Sequence, residues 1–326
     1  MIPGQALQAW LSDGERQRGA IAAAQAFATD WNADPDRKRL EHALRSLSDS
    51  TAEAVAEAAI AFFGEEEWVA TLIATIAEPL RDDAFFEPPI RTIRSDLHGG
   101  LLVFDSPCVD IALGVTRIAD LAARKSSPRG STSVSFTGQL TVLKFVGAGG
   151  ATLSFWEAPE VTADFSAADA GRCGRTGERR IEDGETIVVD GRRQSYVIEH
   201  ARANLVVLQA AVKRDQAPLV VEYDSRTGAY VGCSAADDSA SRVQMIATLL
   251  RKLARADALP VLEGMLEHPD FFVRWHVMRE LLGLDSAAAL PHLKRMAARD
   301  PHADVRRTAR DVLERIESGT LCRKAA

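Results

Sequence analysis

Histidine, cysteine and tyrosine are all scarce in this chain of 326 residues, with 7, 4 and 3 copies. Cys108, Cys173, Cys233 and Cys322 lie far apart and form no C-x-x-C pair, which speaks against a zinc knuckle or a disulfide framework and for free thiols. No stretch approaches the roughly 18 consecutive apolar residues of a spanning helix. The start, MIPGQALQAWLSDGERQRG, lacks the basic and then apolar layout of a secretory leader, so a cytoplasmic protein without a membrane partner is expected. A surplus of basic charge is missing too. The formal charge of −7 and pI near 5.6 argue against a broad nucleic-acid surface. H-E-x-x-H, G-x-S-x-G and a Walker A motif are absent, and Gly147-Ala148-Gly149-Gly150 precedes a β-type run rather than a helix, so it reads as a hairpin turn, not a phosphate cradle. What is present is ordinary for a folded protein, with 46% apolar and 26% charged residues.

Three patterns follow one another. From Ser12 to about Pro88 apolar residues recur at helical spacing, as in Leu40, Ala43, Leu44 and Leu47, or Val55, Ala59, Phe62 and Phe63, and four helices are expected. Asp49, Ser50 and Thr51 offer caps for the third, Gly64 a stop, and Glu65 to Glu67 an acidic start for the next. Trp10, Trp31 and Trp68 fit helix cores better than a ligand cage. After Gly99-Gly100 come β-type runs, Leu101 to Phe104, Val109 to Val115, Val134 to Phe136, Leu140 to Val146 and Thr152 to Trp156. Arg124 to Thr132 and Val161 to Glu182 read as loops, the latter carrying the basic run GRCGRTGERR. Further strands are expected at Ile187 to Val189, Tyr196 to Ile198, Leu205 to Leu208, Leu219 to Tyr223 and Ala229 to Cys233, with Asp190-Gly191 closing a hairpin. A capped helix with a stripe of Val243, Ile246, Ala247, Leu250 and Leu253 follows.

The middle of this order resembles the second half of a cupin barrel. Gly184-Glu185 leads into an apolar strand, and a tight turn ends in Gly191. The resemblance implies a metal-binding His at the place filled by Gln194, and two His followed by a Glu after ATLSFWEAP, where this chain has no His. A neutral amide is a poor ligand for such metals, so no metal and no cofactor are expected. The resemblance also implies a site at the barrel mouth, with Trp156 or Tyr196 packing on a small ligand and Arg192, Arg193 or Gln194 binding it. His200 beside Glu199 is the acid–base candidate.

The end of the chain repeats itself. Leu259-Pro260 recurs as Leu290-Pro291, Val273-Arg274 as Val305-Arg306, and Leu281-Leu282 as Val312-Leu313. This resembles short HEAT repeats, in which each helix pair covers apolar surface left by its neighbour. HEAT-type enzymes that hold iron use His-Glu dipeptides on successive repeats, whereas this chain has Glu41-His42, Glu199-His200 and Glu267-His268. Arg274 and Arg306 are expected to pair with an acid of a neighbouring repeat. Phe271, Trp275, His276 and His302 are the expected contacts for a protein partner.

The expectation is an α+β, multi-domain chain: an N-terminal helical region over 1–98, a central antiparallel cupin-like β barrel or sandwich over 99–235, and a bridging helix with HEAT-like repeats over 236–326. Its expected role is that of a non-catalytic interaction or accessory protein with a protein partner. The alternative is a cupin-type enzyme or small-ligand binder with an atypical site. Self-association through the Ala-rich helices is a further expectation.

Overall fold

The structure, a computed structural model, describes residues 4–47, 49–83, 85–94, 98–125 and 133–318. Cys322 and most of the segment expected as a loop from Arg124 to Thr132 lie outside them. The chain divides into two compact units, one of residues 1–158, 173–216 and 223–229, the other of 159–172, 217–222 and 230–326.

The first unit opens with five helices rather than four: α1 (Gly4–Ser12), α2 (Gly14–Ala33), α3 (Pro35–Ser46), α4 (Ala52–Phe63) and α5 (Glu66–Asp82). Their ends are set by local chemistry. The Asp13 carboxylate accepts from the Glu15 and Arg16 amides at the start of α2, Asp34 from the Arg37 amide ahead of α3, and Thr51 from the Ala54 amide ahead of α4. Gly64 ends α4, and Glu66 and Glu67 sit in the first turn of α5.

The strands are β1 (Arg91–Arg94), β2 (His98–Asp105), β3 (Val109–Thr116), β4 (Ser133–Phe136), β5 (Leu140–Gly147), β6 (Thr152–Glu157), β7 (Gly174–Arg180), β8 (Thr186–Asp190), β9 (Gln194–His200), β10 (Leu205–Val212), β11 (Leu219–Asp224) and β12 (Tyr230–Ala235), with α6 (Ile118–Lys125) after β3. They form a six-stranded sheet of order β1-β2-β3-β10-β5-β8 and two three-stranded sheets, β7-β6-β9 and β12-β11-β4. All pairings described in the first two sheets are antiparallel. The six-stranded sheet is covered on both faces. Val142, Ile111, Leu208 and Ala210 share a core with Leu44, Val55, Ala59 and Phe63 of the helices. Leu143, Phe145, Ile187 and Val189 share a second core with Leu153, and Tyr196 and Ile198 pack against it. Alternate residues of β5 thus enter different cores, which is why its sequence is apolar almost without interruption.

The expected barrel is therefore a layered arrangement, and no closed barrel is present among the described residues. The reason is visible at two connections. β5 and β6 are consecutive, as are β8 and β9, yet each pair divides between two sheets, because β8 pairs with β5 and β9 with β6. Neither Asp190-Gly191 nor the 147–150 glycines close a two-stranded hairpin. They are corners that carry the chain from one layer to the other.

The second unit contains α7 (Asp238–Lys252), α8 (Leu259–Gly264), α9 (Phe271–Leu284), α10 (Ser286–Arg299) and α11 (Ala303–Glu317). Ala240, Ala247, Leu262, Val277, Leu281, Leu293, Val305 and Ala309 are buried in its core. No helix among the described residues is long and apolar enough to cross a membrane.

Candidate functional site

Three places hold the side chains singled out from the sequence. The first is the corner between β8 and β9. Asp190, buried at 9% exposure, accepts from Arg192 Nε on Oδ1 at 2.8 Å and from Nη2 on Oδ2 at 3.1 Å, and Arg193 Nε lies 3.2 Å from the same Oδ2. Burial pushes the Asp190 carboxyl up, but the Arg192 hydrogen bonds and both guanidinium charges outweigh it and hold the group below its ordinary value. Arg192 also meets Glu53 at 3.6 Å. Gln194 turns its side-chain oxygen back to accept from the Asp190 amide at 3.3 Å. Gly191 is required here for closeness rather than for positive φ: a Cβ would lie 2.6 Å from the Gln139 carbonyl oxygen and 2.2 Å from Thr137 Oγ1.

The second place is the pair β6 and β9, where Phe155 lies opposite Tyr196 and Trp156 opposite Ser195. Alternation sends the two sets to opposite faces. On one face, Trp156 Nε1 donates to Ser154 Oγ at 2.9 Å, and Ser154 donates to Glu199 at 2.5 Å. Trp156 and Ser154 are buried, so this is a satisfied polar chain within the fold. On the other face Tyr196 packs against the inter-sheet core, and burial pushes its phenol up to about 12. His200 is exposed at the end of β9, while Glu199 is engaged by Ser154 and lies 3.8 Å from Arg175. The basic run expected as loop is mostly the exposed strand β7, where Arg175 pairs with Glu178 and Arg179 with Glu185.

A cupin-type metal does not fit these residues. Gln194 is committed to the turn, Glu157, Glu160 and Asp164 are exposed, and no group of three His, Cys, Asp or Glu that could hold an ion occurs among the described residues.

The third place is the helical repeat. Arg274 is 6% exposed and forks onto Asp300 at 2.8 and 2.9 Å, while Nη1 donates to the carbonyls of His268 and Pro269. Arg306 repeats the second half of this pattern on the carbonyls of Asp300 and Pro301. The expected acid of the neighbouring repeat is thus Asp300 for Arg274. Phe271 and Trp275 are half-buried and pack against the core. His302 is 5% exposed, stacks on Phe271 at 3.8 Å and caps α11 through the Asp304 amide. His276 bonds to Thr248 Oγ1 at 2.9 Å and faces Glu280, which is also held by Arg251. These four side chains are engaged within the unit rather than gathered as an open patch.

An open apolar surface lies on α7. Met245, Ile246 and Leu249, with Leu253 at the C-cap, are 67%, 56%, 54% and 60% exposed. At 100° per residue they span one face of about 100°, and Arg242 and Lys252 fall on the same side. Ala240, Val243, Ala247 and Leu250 take the opposite side into the core. The stripe expected from sequence had joined members of both faces, Ile246 and Leu253 with Val243, Ala247 and Leu250. The signal that separates them is the second i, i+4 pair, Met245 and Leu249.

Residues 233–314 match the family model described as HEAT repeats. No curated protein matches the chain. Similar solved structures include ectoine synthase from P. lautus, at 12% identity over 38% of this chain and 69% of that one with a TM-score of 0.23. The polyketide cyclase RemF from Streptomyces resistomycificus shows 14% identity, 47% and 88% coverage and a TM-score of 0.23. A sugar phosphate isomerase from a cupin superfamily, from Silicibacter pomeroyi, shows 9% identity, 46% and 90% coverage and a TM-score of 0.24. Superpositions this loose leave the architecture to be read from strand pairing and cores. The chain is a mixed α and β protein with antiparallel sheets after its N-terminal helices and a C-terminal helical region that matches HEAT repeats.

Proposed function

We propose that this is a non-catalytic docking protein whose HEAT-like region receives a protein segment on the outer face of α7. The observation that carries the reading is the exposure of Met245, Ile246, Leu249 and Leu253 on a helix whose other side is already fully used by its own core. Leaving four large apolar side chains in water forgoes about 25 cal/mol for each Å² that a partner would cover, and such patches on folded proteins mark interaction surfaces. Arg242 and Lys252 border the face and make no ion pair with described residues, so the partner is an amphipathic segment whose apolar stripe is edged with Asp or Glu. The β region has no catalytic role in this reading, because Asp190, Arg192, Gln194, Trp156 and Glu199 are bound to one another or to neighbouring groups. A photo-crosslinking side chain placed at Leu249 tests it: the expected result is a defined protein adduct that Met245→Asp abolishes without lowering the melting temperature.

A further inference from the structure

The two ends of the helical repeat differ. α11, the last helix among the described residues, exposes Arg307, Arg310, Asp311 and Glu314, the polar outer face that terminal repeats need in water. The leading end has no such face. α7 meets α9 through Thr248 and Arg251, which bond to His276 and Glu280, and turns Met245, Ile246, Leu249 and Leu253 away from it. α8 shows the same feature when it is set against its repeat. Leu259-Pro260 answers Leu290-Pro291, so Val261 takes the place of His292. In α10 that place faces the preceding repeat: His292 Nε2 lies 3.3 Å from Glu263 of α8, and Arg295 lies 3.5 Å from Glu267 just beyond it. Val261, at the equivalent place, is apolar and 60% exposed. Both helices of the leading end therefore present apolar side chains on the side where a further layer would stack.

We propose that the segment received at this end is an α-helix of another protein, which adds one layer to the stack by packing on α7 and on Val261 together. The inference rests on the docking reading above and gives its partner a conformation and a second contact. A helix fits because the repeat packs helix on helix, and neither α7 nor α8 offers the strand edge to which an extended segment would pair. Another protein fits because α7 carries a single acid, Asp238, beside Arg242 and Lys252, so a second α7 laid on the first brings cations together. End-to-end stacking of copies is no better, since it sets the apolar side chains of α7 against the charged face of α11. A helix with apolar residues at i, i+3 or i+4, and i+7, flanked by Asp or Glu, complements both the stripe and its cations.

The test places p-benzoylphenylalanine at Leu249 and, separately, at Val261 of the full chain in cells and maps where each attaches. Both positions should label the same continuous segment of one protein. A synthetic peptide of that segment should gain helical circular dichroism on binding the full chain. A proline at its centre should weaken binding by at least tenfold, and so should Val261→Asp, an exposed substitution expected to melt like the parent. An adduct at 249 with none at 261, adducts on different proteins or distant segments, or a peptide that binds without gaining helix overturns the helical layer and leaves the docking reading standing. Absence of any adduct at 249 removes both. Adducts that join two copies of this chain overturn the proposal in favour of a dimer.

Discussion

Single residues decide how the second unit is held. Arg274 is a buried cation that makes four directional bonds, two to Asp300 and two to loop carbonyls, so removing it leaves the Asp300 carboxylate, at 4% side-chain exposure, without its counter-charge and with the His302 amide as a remaining donor. Arg274→Ala is expected to destabilise by about 3 to 5 kcal/mol, while Arg306→Ala, which loses two carbonyl contacts and strands no acid, should cost about 1 to 2 kcal/mol. Denaturant unfolding of the two variants checks the difference. Glu280 gives a pH signature. Burial pushes its carboxyl up, but the Arg251 and Thr248 hydrogen bonds outweigh this and hold it below the ordinary value. A group with a depressed folded pKa contributes stability above its unfolded value, near 4.3, and loses it as pH falls through the folded one. Melting should therefore decline as pH drops below about 4, and Glu280→Gln should flatten that decline. The V-R signature made Arg274 legible in the sequence because its role repeats with the repeat. Glu280 was not legible, since its partners Thr248 and Arg251 lie on α7, outside the repeated pair.

At the scale of elements, most strands and most helix ends are readable because their signals are local: alternation, caps and Gly stops. Which sheet each strand joins is not. Asp190-Gly191 looks like hairpin chemistry, yet Gly191 serves a corner pressed on the Gln139 backbone, and that contact involves residues some fifty positions away. Gly191→Ala should therefore lower the melting temperature more than Gly184→Ala. The latter site has open space around its Cβ and bears only the strain of φ +80°, about 1 to 2 kcal/mol. Equal losses would mean that conformational freedom, not closeness, selects glycine at 191. The strand β7 is not legible in the sequence because GRTGERR has no apolar alternation; it is fully exposed, its strand partner is β6, and Arg179 ties it to Glu185.

At the scale of the molecule, the N-terminal helices are not a separate body beside the β region, since Phe63, Val55 and Leu44 share a core with Ile111, Val142 and Leu208. The sequence shows two apolar blocks there and cannot show that they bury each other. The same limit hid the proposed docking face: composition counts Met245 and Leu249 as core material, and exposure emerges once α9 is seen to occupy the other side of α7. The docking account is tested most directly by in-cell photo-crosslinking at Leu249, with Leu7, another exposed leucine, as the control position. The account expects one saturable adduct at position 249, absent at position 7 and absent in Met245→Asp, whose attachment site maps by mass spectrometry to an apolar stretch bordered by Asp or Glu. The same adducts at both positions, none at 249, or an adduct indifferent to Met245→Asp would contradict it.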